Sequence, residues 1–413
     1  MSDVRPFRAL RPRPELATRV AAPPYDVINS EEARAMAAGN EISFLHINKP
    51  EIDLPRDVDL YDDRVYAAGV RNLRRFIAEG VFLREANPSF YVYQQRMGEH
   101  AQAGIVCAAS CQEYADGLIK RHEFTRKDKE DDRTRHTQEL NANAGPVFLT
   151  YRKRPEIDAI VGAIRKGLTP VYDFVASDGI AHTVWIVPPE QTAEVQRAFA
   201  AVPALYVADG HHRAASAARV GLERKAANAR HRGDEPYNYF LAVLFPHDQL
   251  RIMDYNRVVK DLNGLKPDPF LATVGERFTV AKAKDGRPEH VHRFGMFLGG
   301  QWYRLGAKAG SFPASDPVQA LDAAILQENL LAPVLGIADP RTDKRVDFIG
   351  GIRGLGELEK RVNQGWAVAF SLHPVSLDQL MAVADAGLVM PPKSTWFEPK
   401  LRSGLLVRTL DTW

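Results

Sequence analysis

The stretch Val207-Ala208-Asp209-Gly210-His211-His212-Arg213-Ala214-Ala215-Ser216-Ala217-Ala218 decides the reading of this chain. Before it, Ala204-Leu205-Tyr206-Val207-Ala208 is a short apolar run of strand type. After it comes an alanine-rich run of strong helix propensity. Five residues, all polar or glycine, join the two. Asp209 is a good helix N-cap, whose carboxylate can accept from the free amides of His211 or His212. Gly210 lets a ligand come close to the backbone. Arg213 falls in the first helical turn. Free amides, the positive end of the helix dipole and a guanidinium then point to one place, a site for phosphate or carboxylate. His211 and His212 titrate near neutrality and diverge by about 100° on a helix, which does not suit both to one metal; one can be catalytic while the other packs. The plainer reading stands beside this one: an Asp-Gly turn, a cap and a solvated arginine.

Three further segments carry chemistry. Arg121-His122-Glu123-Phe124-Thr125 precedes the charged run Lys127-Asp128-Lys129-Glu130-Asp131-Asp132-Arg133-Thr134-Arg135-His136. Such a run reads as a solvated helix face; the functional alternative is that Arg133 or His136 closes over an anionic ligand. Val20-Ala21-Ala22-Pro23-Pro24-Tyr25-Asp26-Val27 is extended and proline-punctuated. Met390-Pro391-Pro392-Lys393-Ser394-Thr395 resembles the end of a phosphate loop. Its glycines are missing, however, and Trp396-Phe397 and Pro399 prevent the helix that should follow, so it is not a Walker A site. Lys393, Ser394 and Thr395 remain candidate phosphate or nucleotide contacts if this loop meets the box. No metal motif has ligand spacing, and only the fold could gather His122, Glu123 and His136. No nucleophile elbow or dinucleotide fingerprint is present.

The chain has 413 residues, 45% hydrophobic and 26% charged, with a net charge of +2. These are values of a globular protein, and nothing global argues for nucleic acid or a membrane surface. Aromatics do not interleave with a basic stripe, so no nucleic-acid partner is expected. No apolar run is long enough to span a bilayer. The segment Met1-Ser2-Asp3-Val4-Arg5-Pro6-Phe7 lacks the apolar core of a signal peptide. Cys107 and Cys111, four apart on a segment read as β, are too distant to bridge. Cytoplasmic residence is the natural reading.

Periodicity predicts strands at Ile42–Ile47, Ser89–Arg96, Ala103–Tyr114, Leu118–Glu123, Val147–Tyr151, Val171–Phe174, His182–Val187 and Tyr239–Phe245, the last with Leu250–Arg257 as hairpin partner. It predicts helices over Tyr61–Glu79, Arg126–Asn143 with Thr125 as cap, Glu156–Gly167, Glu190–Ala201 and from the box to Asn228. Hairpin patterns mixed with strand–helix units indicate an α+β fold. Texture changes near Lys260, giving a domain 1–259 with the box and a smaller α+β lobe 260–413.

The Asp-Gly-His-His-Arg box, with the three segments above, resembles the bacterial family known as domain of unknown function 1015. The box is also similar to that of the ParB/sulfiredoxin superfamily, which includes free serine kinases. The resemblance implies a ParB/sulfiredoxin-like mixed sheet core with large insertions. It implies a nucleotide-dependent phosphotransferase acting on a small hydroxy amino acid, with ATP or ADP as donor and Mg²⁺ as cofactor. Asp209 and His212 would then be the catalytic pair. The base would be a glutamate, Glu15 by position or Glu123 in competition, and Gly210, His211 and Arg213 would hold phosphate. The ParB side of the resemblance implies the alternative, a non-catalytic nucleotide-binding switch. An inert scaffold, with Asp209 merely a cap, is the third reading.

Overall fold

Leu205–Asp209 forms a strand, and the structure, a computed structural model describing residues 2–411, places it in a nine-stranded sheet. The sheet order is Ile119–Lys120, Leu205–Asp209, Val147–Tyr151, Tyr239–Pro246, His100–Ser110, Tyr91–Met97, Ala181–Ile186 and Tyr172–Val175, with Val4–Arg5 added on His100–Ser110. Ile119–Lys120 runs parallel to Leu205–Asp209, and Val147–Tyr151 parallel to Tyr239–Pro246. The remaining pairings are antiparallel. The sheet is therefore mixed and the fold α+β, as the strand and helix patterns predict.

Tyr239–Pro246 is buried along its whole length, which explains its unbroken apolar sequence. Its neighbours Ile105, Cys107, Leu149 and Val207 share a core with Ile157, Ile160 and Ile164 of helix Pro155–Gly167. Val195 and Phe199 of helix Thr192–Ala200 join it, as do Ala214 and Ala218 of helix His211–Ala227. A second core gathers Phe44, Leu45 and Ile47 with Leu73 and Phe76 of helix Asp63–Ala78. That helix starts where Asp62 accepts from the Arg64 amide at 2.9 Å. Both cysteines are free and buried. Cys111 opens a short helix, Cys111–Ala115, rather than continuing the strand, and burial pushes its thiol up to about 12.

The chain divides into two units, comprising the described residues of Met1–Leu250 with Pro399–Trp413, and Arg251–Glu398. The division thus falls at 250/251 rather than 259/260, and residues from 399 onward join the first unit instead of the C-terminal lobe. Backbone pairing explains both differences. Arg251–Met253 pairs with Trp396–Glu398, so the second unit is clasped where it leaves and rejoins the chain. Leu250–Arg257 is consequently not a hairpin partner of Tyr239–Pro246. Within the first unit, Ser403 bridges to Ala22, Val407 to Leu10, and Arg408–Thr409 pairs with Ala142–Asn143.

The second unit has a six-stranded sheet in the order Phe278–Ala283, Gln301–Ala307, Arg293–Leu298, Val368–Leu372, Tyr255–Val259 and Val346–Gly350. Helix Pro267–Arg277 packs Phe270 and Val274 into its core. Helix Leu377–Asp385 is capped by Ser376, whose side chain and that of Gln379 form a reciprocal capping box.

One predicted strand is absent. Ile42–Ile47 turns into the short helix Leu45–Asn48, with the Asn48 amide bonded to the Phe44 carbonyl. A six-residue apolar run reads either way, and here burial of Phe44, Leu45 and Ile47 on one core sets the helical answer.

The sheet centre tolerates no added bulk at Gly104, where a Cβ would lie 2.5 Å from the Leu244 carbonyl oxygen. Gly104→Ala should cost about 1–3 kcal/mol in urea unfolding through overpacking. Gly162, in helix Pro155–Gly167 with open space around it, is the contrast. Gly162→Ala should stabilise by about 0.8–1 kcal/mol. Equal effects of the two substitutions would contradict this packing.

Candidate functional site

The box begins at an irregularity. The pairing of Leu205–Asp209 with Val147–Tyr151 shifts register between Val207 and Asp209, and such bulges re-aim side chains. Asp209 therefore ends the strand and is not the helix N-cap that the sequence predicts. Gly210 takes that position in the left-handed region at φ 85°, and among the described residues no side chain caps the helix. A Cβ on Gly210 would meet the Arg213 guanidinium at 3.0 Å, so both conformation and space require glycine.

Freed from capping, the Asp209 carboxylate meets the Lys400 ammonium at 3.2 Å and the Arg213 guanidinium at 3.7 Å. Burial would raise its pKa, but Lys400 and then Arg213 hold it well below the usual carboxylate range. Lys400 is fixed in turn by its own carbonyl, which accepts from the Gln95 amide at 2.8 Å.

Arg213 is buried, not solvated. It donates to the Pro146 carbonyl at 2.5 Å and lies 3.7 Å from Asp26. Among the described residues, its Nε has no hydrogen-bond partner. Beside it, Tyr25 lies under the Arg133 guanidinium at 4.3 Å, and Arg133 pairs with Asp132 at 2.6 Å. The charged helix, Lys127–Leu140, is thus not solvated all round: Thr134, His136, Thr137 and Leu140 are buried. His136 is tied to the Ile47 carbonyl at 2.9 Å. Asn141 in the left-handed region ends this helix, ahead of the predicted Asn143. A cavity of about 30 Å³ lies between Tyr25, Arg133, His136, Asn143, Arg213 and Ser216. That volume admits about two water molecules and no nucleotide.

The adjacent histidines part company as their helical spacing requires. His212 Nε2 accepts from the Arg126 amide at 3.0 Å, so its proton is assigned to Nδ1. His212 and Asp209, read as a pair on one helical face, thus have separate partners. His211 turns inward. Its ring packs edge-on against His122 with centroids 4.5 Å apart and planes at 87°. His211 Nδ1 lies 3.7 Å from the Glu123 carboxylate, and His211 Nε2 is buried with no hydrogen-bond partner among the described residues. One donor atom from each of His122, Glu123 and His211 lies within 4.8 Å of the others. Burial lowers His122 to about 4 and holds His211 well below the imidazole range, so both rings are neutral at pH 7.

The structure therefore brings Asp209, Gly210, His211, His212, Arg213 and Glu123 together. Glu15 is not among them: it is exposed in the short helix Pro14–Leu16. Lys393, Ser394 and Thr395 belong to the second unit. There Lys393 sits at φ 55° with its ammonium 5.8 Å from the Tyr255 ring centroid, and Ser394 donates to the Pro391 carbonyl at 2.6 Å. The sequence reading missed Lys400 and the pairing roles of Asp26 and His122. Asp26 and His122 lie in segments already singled out for their chemistry. Nothing local marks Lys400, which is 191 positions from Asp209.

The chain belongs to the family described as "Protein of unknown function (DUF1015)", matched over residues 4–324. No curated protein matches it. Among solved structures, a free serine kinase variant in complex with AMP is similar at 10% identity and a TM-score of 0.38, covering 75% of this chain and 92% of that one. C-terminally truncated SbnI from Staphylococcus aureus aligns at 12% identity and 0.39, covering 74% and 87%. A conserved hypothetical protein from Pyrococcus furiosus aligns at 12% and 0.36, covering 74% and 95%. At this level the likeness assigns no residue role.

Burial of Arg213 has a measurable consequence. Arg213→Ala leaves Asp26 and the Pro146 carbonyl without their cation and Asp209 with Lys400 alone, and should cost about 2–3 kcal/mol in urea unfolding. In a double-mutant cycle with Asp26→Asn, a coupling energy above about 0.5 kcal/mol is expected. Additive losses would show that the two side chains do not interact.

Proposed function

We propose that this protein is a nucleotide-dependent phosphotransferase acting on a small hydroxy amino acid. The observation that carries the reading is the convergence of Asp209, Lys400 and Arg213 at the N-terminus of the 17-residue helix His211–Ala227. Phosphoryl transfer asks a protein chiefly for positioning and for cations around the phosphate oxygens. Lys400 and the free amides of the helix terminus provide positive charge there. Arg213 serves differently, as the buried support of Asp26 and Asp209.

In kinases an ionised aspartate receives the acceptor hydroxyl proton. Asp209 is kept ionised by its cations and retains about a quarter of its side-chain exposure, so its carboxylate can accept a hydrogen bond from the acceptor hydroxyl. His212, bonded through Nε2 to the Arg126 amide, positions the segment that follows Glu123. Similarity of the box to that of free serine kinases suggests ATP or ADP as donor and serine as acceptor. Mg²⁺ is ordinarily held by one or two carboxylates with the substrate phosphates. Asp26, with 34% of its side chain exposed, is an oxygen donor that fits this requirement. When bound, the ion would neutralise charge on the phosphates.

The test is to incubate the protein with ATP or ADP, Mg²⁺ and L-serine and to follow phosphoserine by mass spectrometry. Turnover is expected with one of the two nucleotides. Asp209→Asn should lower kcat by about 10²–10⁴-fold. Lys400→Ala should raise KM for the nucleotide by roughly ten- to a hundredfold, the equivalent of one charge-assisted bond. A nucleotide-dependent rise in melting temperature without phosphoserine would instead establish the non-catalytic switch. No shift and no product would overturn both readings.

A further inference from the structure

We infer that His122, Glu123 and His211 form a binding site for a divalent transition-metal ion of the zinc class. The three residues come from two elements far apart in sequence. His122 and Glu123 follow the edge strand Ile119–Lys120, and His211 opens the helix after the neighbouring strand Leu205–Asp209. Parallel pairing of these two strands, Leu205 with Ile119 and Tyr206 with Lys120, puts their following segments at the same end of the sheet.

The donor set has the chemistry of a metal centre. Two imidazoles and one carboxylate select zinc, iron, cobalt or nickel over magnesium or calcium, which prefer oxygen alone. Three protein ligands leave a coordination position open, as in catalytic zinc sites. The distances are those of a site about to close. Ligand atoms about 2.0–2.2 Å from one ion lie at most about 4.4 Å apart. The Glu123–His211 separation of 3.7 Å is already inside that limit, and the widest spacing, within 4.8 Å, exceeds it by a few tenths of an ångström. Closing that difference requires only a small shift of the Glu123 side chain, 42% of which is exposed.

One further observation points the same way. Both imidazoles are buried, and their rings meet edge to face with centroids 4.5 Å apart. A bound cation would hold such a pair together.

The site is distinct from the Asp209–Lys400 pair and does not depend on the phosphotransferase reading. It makes Glu123 a ligand rather than a base. Its readout is metal binding, so the outcome is independent of any turnover assay.

The experiment is calorimetric titration of the chelator-treated full chain with Zn²⁺, followed by Co²⁺ loading and visible spectroscopy. One equivalent should bind. Loss of an outer partner of a metal ligand already costs 10–100-fold in affinity, so Glu123→Ala and His211→Ala should each weaken Zn²⁺ binding by at least about a hundredfold. His290→Ala, at an exposed histidine of the second unit, should leave it unchanged. Co²⁺ should give ligand-field bands that Glu123→Ala alters. If His211→Ala does not fold, Glu123→Ala and Glu123→Gln carry the test, because that side chain is half-exposed. Absence of stoichiometric binding, or binding that survives both Glu123 substitutions, overturns the assignment.

Discussion

The ion pair between Asp209 and Lys400 is the constraint on which the first unit is arranged. A carboxylate at the end of a buried strand is costly unless cations meet it. One of these, Arg213, is supplied locally from the next helical turn. The other, Lys400, comes from a segment that the chain reaches only after the whole second unit has been made. The return segment does more than carry a charge: Ser403, Val407 and Arg408 lock onto Ala22, Leu10 and Asn143. The strand end, the N-terminal segment and the close of the charged helix are thereby tied to a single stretch of chain. The clasp between Arg251–Met253 and Trp396–Glu398 makes this possible, because it brings the two ends of the insertion together.

Buried arginines organise the polar interior around this pair. Arg213 spans Pro146, Asp26 and Asp209, while Arg133 pairs with Asp132 and stacks on Tyr25. Guanidinium suits these positions, since its planar fork serves several acceptors at once and its face accepts an aromatic ring. The proline-punctuated Tyr25-Asp26 segment, without regular secondary structure, gains its place from these two cations. The charged helix is amphipathic in an unusual sense: its buried face consists mostly of the polar residues Thr134, His136 and Thr137, with His136 tied to the Ile47 carbonyl.

Much of this was legible in the sequence where the signal was local. The strand before residue 209 and the helix after it follow from an apolar run and an alanine-rich run. The helix over 63–78 follows from its apolar spacing. The illegible parts share one physical origin, which is pairing between distant segments. Asp-Gly before a helix reads as a cap because local chemistry allows it; the register shift against Val147–Tyr151 decides otherwise, and no window around residue 209 contains that strand. The same holds for Lys400, and for the division at 250/251, which is set by strand Trp396–Glu398. The charged run hid a buried face because threonine and histidine register as polar in any periodicity count.

The two histidines of the box show how local geometry and distant partners combine. One residue apart on a helix, they point about 100° away from each other, so a one-residue insertion in the turn would carry His211 into the direction His212 now has and His212 away from Arg126. As built, His212 reaches the backbone ahead of the charged helix, and His211 reaches the segment after the edge strand. Residues 121–126 are therefore gripped from both sides, with Glu123 between the grips and Phe124 left 73% exposed. The two imidazoles thus contribute both chemistry and position to that segment. Gly210 is the hinge of the arrangement. Its left-handed backbone sets the start of the helix, and with it the angle at which both rings leave the axis.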